Sequence, residues 1–403
     1  MNTTNTLPPK QGDLISDLKQ LPQPFYLLII GSFINRFGHF VIPFLAIYLR
    51  QLGFPSYVAG YALAAYGGGG FVASIVGGYL ADKIGRKPTL LISCFGATAS
   101  MLILSTISTK SGIIGGAFLA GLMTCMYYPA SSSLIADLIP EPLRIRAYAI
   151  QRFSINLAFA LGMTTAGFVA GSAFSWLFIA DALTTATLGV IILFGLKRGI
   201  GSKSDQVSAG WGIAVRSIVR NAPFLRVAFA TLLVATIFWQ TSSTLGLQVI
   251  EVSGFDERTF GLLLGLNGIM IVFMEIPLTN WTRKKDPQLM IGVGNALVGV
   301  GLGLLAFGSS LTMLIISMVV LTIGEMIASP VCSSYVAGLC PEAMRGRYMG
   351  VMAFSWNVAI GLGPMLGLGL FEYSPQLLWI LCGVAGLLST WIILIGRPKN
   401  QKA

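Results

Sequence analysis

The chain has 403 residues, of which 55% are hydrophobic and only 10% charged, and its mean hydropathy is +0.78. A soluble domain carries about 25% charged residues, so the composition excludes a water-soluble globule and makes lipid the main solvent. The formal charge of +11 comes from short basic clusters between apolar runs, which argues against a nucleic-acid partner and for orientation in a bilayer.

Residues 1–24 are mostly polar, with Lys10, Lys19 and four prolines. They lack a cleavable signal pattern, so the first apolar span is expected to stay in the protein. Hydrophobic runs then predict helices at 25–49, 56–81, 89–108, 112–136, 147–170 and 174–196. The polar stretch 197–223 follows. The second set falls at 224–250, 257–281, 288–308, 311–338, 348–370 and 376–396, before a short tail at 397–403. A membrane-crossing helix needs about 20 apolar residues, and each run supplies them. The stretch 197–223 opens with Gly199, Gly201, Ser202 and Ser204, which makes it the linker. From Trp211 to Arg220 it reads either as a short basic helix on the membrane surface or as a solvated tether.

The two sets of six are related. Residues 129–163 superpose on 330–364 with a shift of 201 and match at 15 of 35 positions, where chance in this composition would give about three. Pro129/Pro330, Pro140/Pro341, Glu141/Glu342, Arg144/Arg345, Arg146/Arg347 and Asn156/Asn357 are among the matches. A tandem duplication in a membrane chain is the blueprint of a secondary transporter, with substrate held between the halves. Placing residues 1–24 in the cytoplasm puts 22 of the 26 basic residues on the cytoplasmic side. Three (Arg50, Lys110, Arg258) then lie opposite, and Arg36 lies inside a span. This asymmetry predicts both termini in the cytoplasm. The five cysteines lie in or beside apolar spans without metal-ligand spacing, and are read as packing residues.

The loop after the second span reads Gly78-Tyr79-Leu80-Ala81-Asp82-Lys83-Ile84-Gly85-Arg86-Lys87-Pro88. Its glycines permit a tight turn, and Asp82 can accept from helix-terminal amides or pair with Arg86. Such contacts would latch one half against the other on the cytoplasmic side. The arginines of Pro-Glu-x-x-Arg-x-Arg, at 140–146 and 341–347, can bind carbonyls at helix C-termini, the neighbouring glutamates or lipid phosphate. Arg144 and Arg345 read equally as gate residues or topology anchors. Small residues in the fifth and eleventh spans (Gly162, Gly167, Gly361, Gly363, Gly367) allow close helix approach.

The loop string resembles the signature of the major facilitator superfamily at Gly78, Leu80, Asp82, Gly85, Arg86 and Lys87. The counterpart in the second half, Thr282-Arg283-Lys284-Lys285-Asp286-Pro287, keeps charge but lacks the glycines. The resemblance implies an all-α membrane protein with twelve transmembrane helices in two pseudo-symmetric six-helix bundles, 25–196 and 224–396, and alternating access without enzymatic activity. It also implies that spans 1, 4, 7 and 10 line a central cavity. The Gly324-Glu325…Pro330 stretch of span 10 resembles multidrug/proton antiporters, in which that acid takes part in coupling. In those relatives a proline-bearing glycine motif lies on span 5. Here Met163 takes that place and the proline copy, Pro364, lies on span 11.

Charges inside spans are costly and mark function. Arg36 and Glu325 are expected on cavity helices. Asn35, His39, Tyr127, Tyr128, Trp239 and Gln240 are plausible neighbours on the resemblance. Glu325 reads as a proton carrier or as a structural partner. Arg36 would bind an anionic substrate, hold a carboxylate such as Glu325, or close a gate. His39, the sole histidine, would titrate or simply pack. Glu275 would pair across the halves with Arg152. Asp137 and Asp181 lie near span ends and are read as water-facing. No nucleotide loop, metal cluster or nucleophile triad is visible, so no cofactor or metal is expected.

The leading expectation is a monomeric multi-pass protein of a bacterial inner membrane that exports lipophilic or cationic compounds against protons. The alternatives are a proton symporter importing a small, anionic metabolite, and a lipid flippase or non-transporting sensor.

Overall fold

The structure, a computed structural model, describes residues 21–171, 174–196, 211–341 and 344–395. The N-terminal segment, most of the linker and the C-terminal tail fall outside it, as do the side chains of Glu141, Arg146 and Arg345. Among the described residues twelve helices are long and apolar enough to cross a membrane. Spans 1 to 6 are Gln23–Gln51, Ser56–Lys83, Arg86–Thr106, Lys110–Ile135, Ala147–Ala170 and Ser175–Gly195. Spans 7 to 12 are Ala222–Ser242, Glu257–Thr282, Pro287–Ala306, Leu311–Leu339, Arg347–Tyr373 and Pro375–Leu394. An even number of crossings puts the described chain ends on one face, called here the terminal face.

Three spans depart from the uniform helices that hydropathy predicts. Span 1 is interrupted between Phe37 and Val41. Pro43 lacks the N–H that would bond the His39 carbonyl, and Gly38 packs its backbone against Thr184 of span 6, where a Cβ would lie 2.6 Å from Thr184 Cβ. Span 4 is divided at Met126. Span 7 passes into a 3-10 turn at Trp239–Ser242 and a π turn at Gln248–Val252. Hydropathy reports apolar length but not which carbonyls keep a partner, so it missed all three. The linker forms a helix over Trp211–Arg220, docked by Ser217 Oγ 2.9 Å from Tyr348 Oη of span 11.

The halves meet along two helix pairs, span 5 with span 8 and span 2 with span 11. Both seams depend on small residues. A Cβ added to Gly261 of span 8 would lie 2.5 Å from the Met163 carbonyl oxygen and 2.8 Å from Gly167 Cα of span 5. One at Gly67 of span 2 would lie 2.9 Å from the Gly361 nitrogen of span 11. Close backbone approach of this kind gains dispersion contacts that lipid cannot supply. These contacts lie in the half of the molecule remote from the terminal face. There Arg50 Nε and Nη2 donate to the two Glu251 carboxylate oxygens at 2.7 and 3.2 Å, and Gln51 Nε2 donates to Glu257 Oε1 at 2.8 Å. The structure is therefore a conformation closed at the remote face.

Candidate functional site

A cavity of about 200 Å³ lies between the halves, and Arg36, Asn156, Phe159, Trp239, Asn267 and Glu325 line it. A second cavity, of about 300 Å³, extends into the C-terminal half. Phe238, Val298, Cys332, Met349, Met352 and Trp356 give it a mainly apolar wall. Glu325 and Phe238 belong to both, so this carboxyl stands where the apolar chamber meets the polar one.

Asn267 of span 8 holds it there. Its Nδ2 donates to Glu325 Oε2 at 3.1 Å and to Thr322 Oγ1 at 3.0 Å, and the Thr322 hydroxyl donates to the Met318 carbonyl at 2.6 Å. The uncharged Asn267 amide, itself anchored on the Thr322 hydroxyl, thus positions the carboxyl without supplying a counter-charge. Arg36 faces the same chamber from span 1. Its Nη1 donates weakly to Tyr128 Oη at 3.4 Å, its guanidinium lies 6.0 Å from the centre of the Phe159 ring, and its buried Nε has no partner. Trp239 Nε1 is likewise buried without a partner. The chamber thus presents two unanswered donors and one carboxyl, and no direct Arg36–Glu325 ion pair is recorded among the described residues. Buried donors left unpaired are costly, which suits groups that await a ligand or a second state.

The remaining expected residues divide into three groups. Asn35, His39 and Tyr127 lie behind Arg36, inside the N-terminal half. Asn35 Nδ2 donates to Thr185 Oγ1 at 2.7 Å, Tyr127 Oη lies 2.6 Å from Ser32 Oγ, and His39 Nδ1 lies 3.8 Å from Asp181 Oδ2. Asp181 corrects the expectation of a water-facing acid, because it is only 2% exposed. Gln240 does not line the chamber. It is buried against span 11, where its Nε2 donates to the Gly363 carbonyl at 2.8 Å and its Oε1 accepts from Thr244 Oγ1 at 2.6 Å. The missing side chains at Gly363 and Gly367 make room for it, and that is the use of the glycines around Pro364.

The charged loop residues form contacts within their own half. Arg86 Nη1 donates to Asp82 Oδ1 at 2.6 Å and its Nε donates to Asp137 Oδ2 at 3.1 Å. The Lys87 ammonium donates to the Leu193 carbonyl at 2.7 Å and also to that of Leu196, at the end of span 6. Gly85 turns the chain at φ +100°, whereas Gly78 lies inside the helix of span 2 with open space at its Cβ position. Among the described residues the contacts of this loop stay within the N-terminal half, so the expected latch between halves is not seen there. Arg152 and Glu275 do meet across the halves, with Arg152 Nε donating to Glu275 Oε2 at 3.0 Å. Arg144 Nε donates to the Ile139 carbonyl at 3.1 Å, capping the end of span 4. The side chain of Arg345 lies outside the described residues.

One chamber between two duplicated six-helix bundles, joined to a second inside the C-terminal bundle and sealed at one face, defines the architecture of a secondary transporter. The profile of the Major Facilitator Superfamily matches residues 28–294 and 227–403. The chain belongs to that superfamily and is a multi-pass membrane transporter, not an enzyme. It is 26% identical over 369 residues to a Na(+), Li(+), K(+)/H(+) antiporter of Planococcus maritimus, covering 84% of this chain and 87% of the relative. It is 24% identical over 395 residues to the multidrug resistance protein MdtH of Blochmanniella floridana, covering 94% and 95%. Its fold is similar to that of a POT family transporter solved in complex with 5-aminolevulinic acid, with a TM-score of 0.80 at 20% identity over 96% of this chain and 100% of the other.

Proposed function

We propose that the protein exports lipophilic cations in exchange for protons. The observation that carries this reading is the position of Glu325, at the mouth of an apolar chamber lined by Met349, Met352 and Trp356. Methionine and aromatic side chains accept varied apolar shapes, and one carboxylate at their edge selects positive charge. A proton and an organic cation then compete for the same oxygen atoms, which makes exchange obligatory. The antiporter and the multidrug resistance protein among the relatives support the same class.

The distribution of basic residues supports a cytoplasmic position for the terminal face. The conformation closed at the remote face then receives substrate from the cytoplasm. Substrate binding to ionised Glu325 leads to closure at the terminal face, with the Asp82–Arg86 loop and the Arg152–Glu275 pair rearranging. Outside, a proton displaces the cation from Glu325, the protonated carrier returns, and the proton leaves to the cytoplasm as the next cation binds the ionised carboxylate. Trp239 offers its indole face to the positive end of the ligand, and Arg36, itself a cation, competes with the ligand for Glu325. The shallow apolar groove between spans 2 and 11, lined by Gly68, Phe71, Phe354 and Leu362, offers a lateral approach from lipid.

A second reading, symport of a small anion, is favoured by the unpaired Arg36 Nε in the chamber. Proteoliposomes with an imposed pH gradient separate the two, using tetraphenylphosphonium as the cationic probe and 5-aminolevulinic acid as a carboxylate probe. Export predicts phosphonium movement against the proton flow. It also predicts that Glu325→Gln abolishes gradient-driven movement. Full gradient coupling in Glu325→Gln, or carboxylate moving with the protons while phosphonium does not move, would refute it.

A further inference from the structure

A second polar centre lies behind Arg36, and neither chamber uses it. Asp181 of span 6 is 2% exposed, and its Oδ2 is buried without a hydrogen-bond partner. The other side of the carboxyl is held: Thr185 Oγ1 lies 3.5 Å from Oδ1, the Val41 amide donates to the carboxyl, and Asn35 fixes Thr185. The Val41 amide is free to do so only because span 1 restarts at that residue. Helix starts carry unpaired N–H groups and a partial positive charge, so the break in span 1 is built around the Asp181 carboxyl.

His39 occupies the break itself. Its Nδ1 lies 3.8 Å from Asp181 Oδ2, and its side chain is 16% exposed against 3% for Asp181. We infer that Asp181 and His39 form a second proton-exchanging site, in the N-terminal half, reached through His39 and separate from Glu325. Closing the gap by about 1 Å makes a hydrogen bond. A proton from water then adds to Nε2 of the imidazole, the proton on Nδ1 passes to Asp181 Oδ2, and a neutral ring and a neutral carboxyl remain. The reverse steps return the proton to water.

The surrounding groups select a proton over a metal cation. Val41 N–H and Thr185 O–H both donate toward the carboxyl, and a hard cation needs several oxygen acceptors instead. The charged and titratable groups acting on the pair are Arg36 on span 1 and Tyr66 on span 2, and Cys125 and Tyr128 of span 4 lie next to Tyr66. Arg152, on span 5, is committed to Glu275. Arg36 is the permanent charge in this set, and its field acts on both His39 and Asp181. Ionised Asp181 therefore holds the Arg36 charge toward the N-terminal half. Protonation removes that counter-charge and leaves Arg36 to the central chamber, where it competes with the cationic ligand for Glu325. The use made of the proton rests on the exporter reading; the existence of the site does not.

Infrared difference spectroscopy of the full chain in lipid, titrated in pH, tests this directly. Labelling wild-type protein with aspartate carrying 13C in its carboxyl shifts the bands of Asp181 and leaves those of Glu325. The expected result is one titrating carboxylic-acid band that moves with the label, is lost in Asp181→Asn and does not respond to added Na⁺. A second band is lost in Glu325→Gln and does not move with the label. In His39→Gln the Asp181 band persists, but its exchange with deuterium slows at least about tenfold. The proposal is overturned if no buried aspartate band titrates, if Na⁺ displaces the proton, or if His39→Gln exchanges at the wild-type rate. A titrating aspartate band with a silent Glu325 would sink the exporter mechanism and leave this site standing.

Discussion

Gly261→Ala tests the conformational reading most sharply. In the structure the added Cβ would sit 2.5 Å from the Met163 oxygen and 2.8 Å from Gly167 Cα. Both are backbone atoms of span 5, so no side chain can swing away, and spans 5 and 8 must separate. Overpacking of this kind costs about 1–3 kcal/mol. That cost falls on the state closed at the remote face and is relieved when the face opens. The equilibrium between the two states should therefore shift by about 5- to 150-fold toward opening. Spin labels at Leu52 and Val252, exposed residues flanking Arg50 and Glu251, read that face by electron–electron resonance in a background lacking the five native cysteines. The longer-distance population should rise in Gly261→Ala. Gly369→Ala is the control, because a Cβ there meets nothing within 4 Å. An unchanged distance distribution in folded Gly261→Ala, or an equal shift in Gly369→Ala, would refute the reasoning.

Arg50→Ala should move the same distance distribution in the same direction but by no more than about fivefold, since a pair this exposed contributes about 1 kcal/mol at most. Gln240→Ala should lower the melting temperature in detergent by an amount equivalent to about 1–3 kcal/mol, because the Gly363 carbonyl and the Thr244 hydroxyl lose a buried partner; a variant melting with wild type would show that water replaces it. Asp256, in the loop before span 8, accepts from the Thr259 amide and hydroxyl at 2.9 and 2.8 Å, and these bonds hold its carboxyl below the ordinary range. Its contribution to stability is therefore present above the unfolded value of about 3.9 and lost as pH falls through the lower folded value. The difference in melting temperature between wild type and Asp256→Ala should accordingly be seen at neutral pH and shrink in strong acid. Arg152→Ala and Glu275→Gln should be non-additive in a double-mutant cycle on transport rate, as residues acting through one contact are.

Much of the architecture was legible in the chain because the bilayer reads it so simply. A backbone in hydrocarbon must satisfy its own hydrogen bonds, so each run of about 20 apolar residues had one structure available to it. The duplication then gave the two halves, and basic residues such as Lys83, Arg86 and Arg144 gave the expected sidedness. Arg36, Trp239 and Glu325 stood out as polar residues in apolar runs, and the tertiary structure brings these three to one chamber. The same rule singled out Asn35, His39 and Tyr127, but a linear pattern cannot say that they turn to span 6 and Ser32 instead. Gln240 carried an equal signal but is packed into the gap left by Gly363 and Gly367, bonded to the Gly363 carbonyl and the Thr244 hydroxyl. Asp181 was misread because its distance from a span end suggested water, while its burial depends on a break in a different helix. Asn267 and Thr322, which hold Glu325, gave no signal beyond being uncharged polar residues in spans.

The amino-acid order alone determined the number of crossings and the kinship of the two halves, since the first follows from the transfer energy of each segment and the second from the repeat itself. Which carboxyl meets which donor, where span 1 breaks, and which face is sealed were decided only by the packing of helices far apart in the chain. Those contacts depend on the absence of side chains at positions such as Gly38, Gly67 and Gly261, and an absence acquires meaning only against the neighbour that fills it.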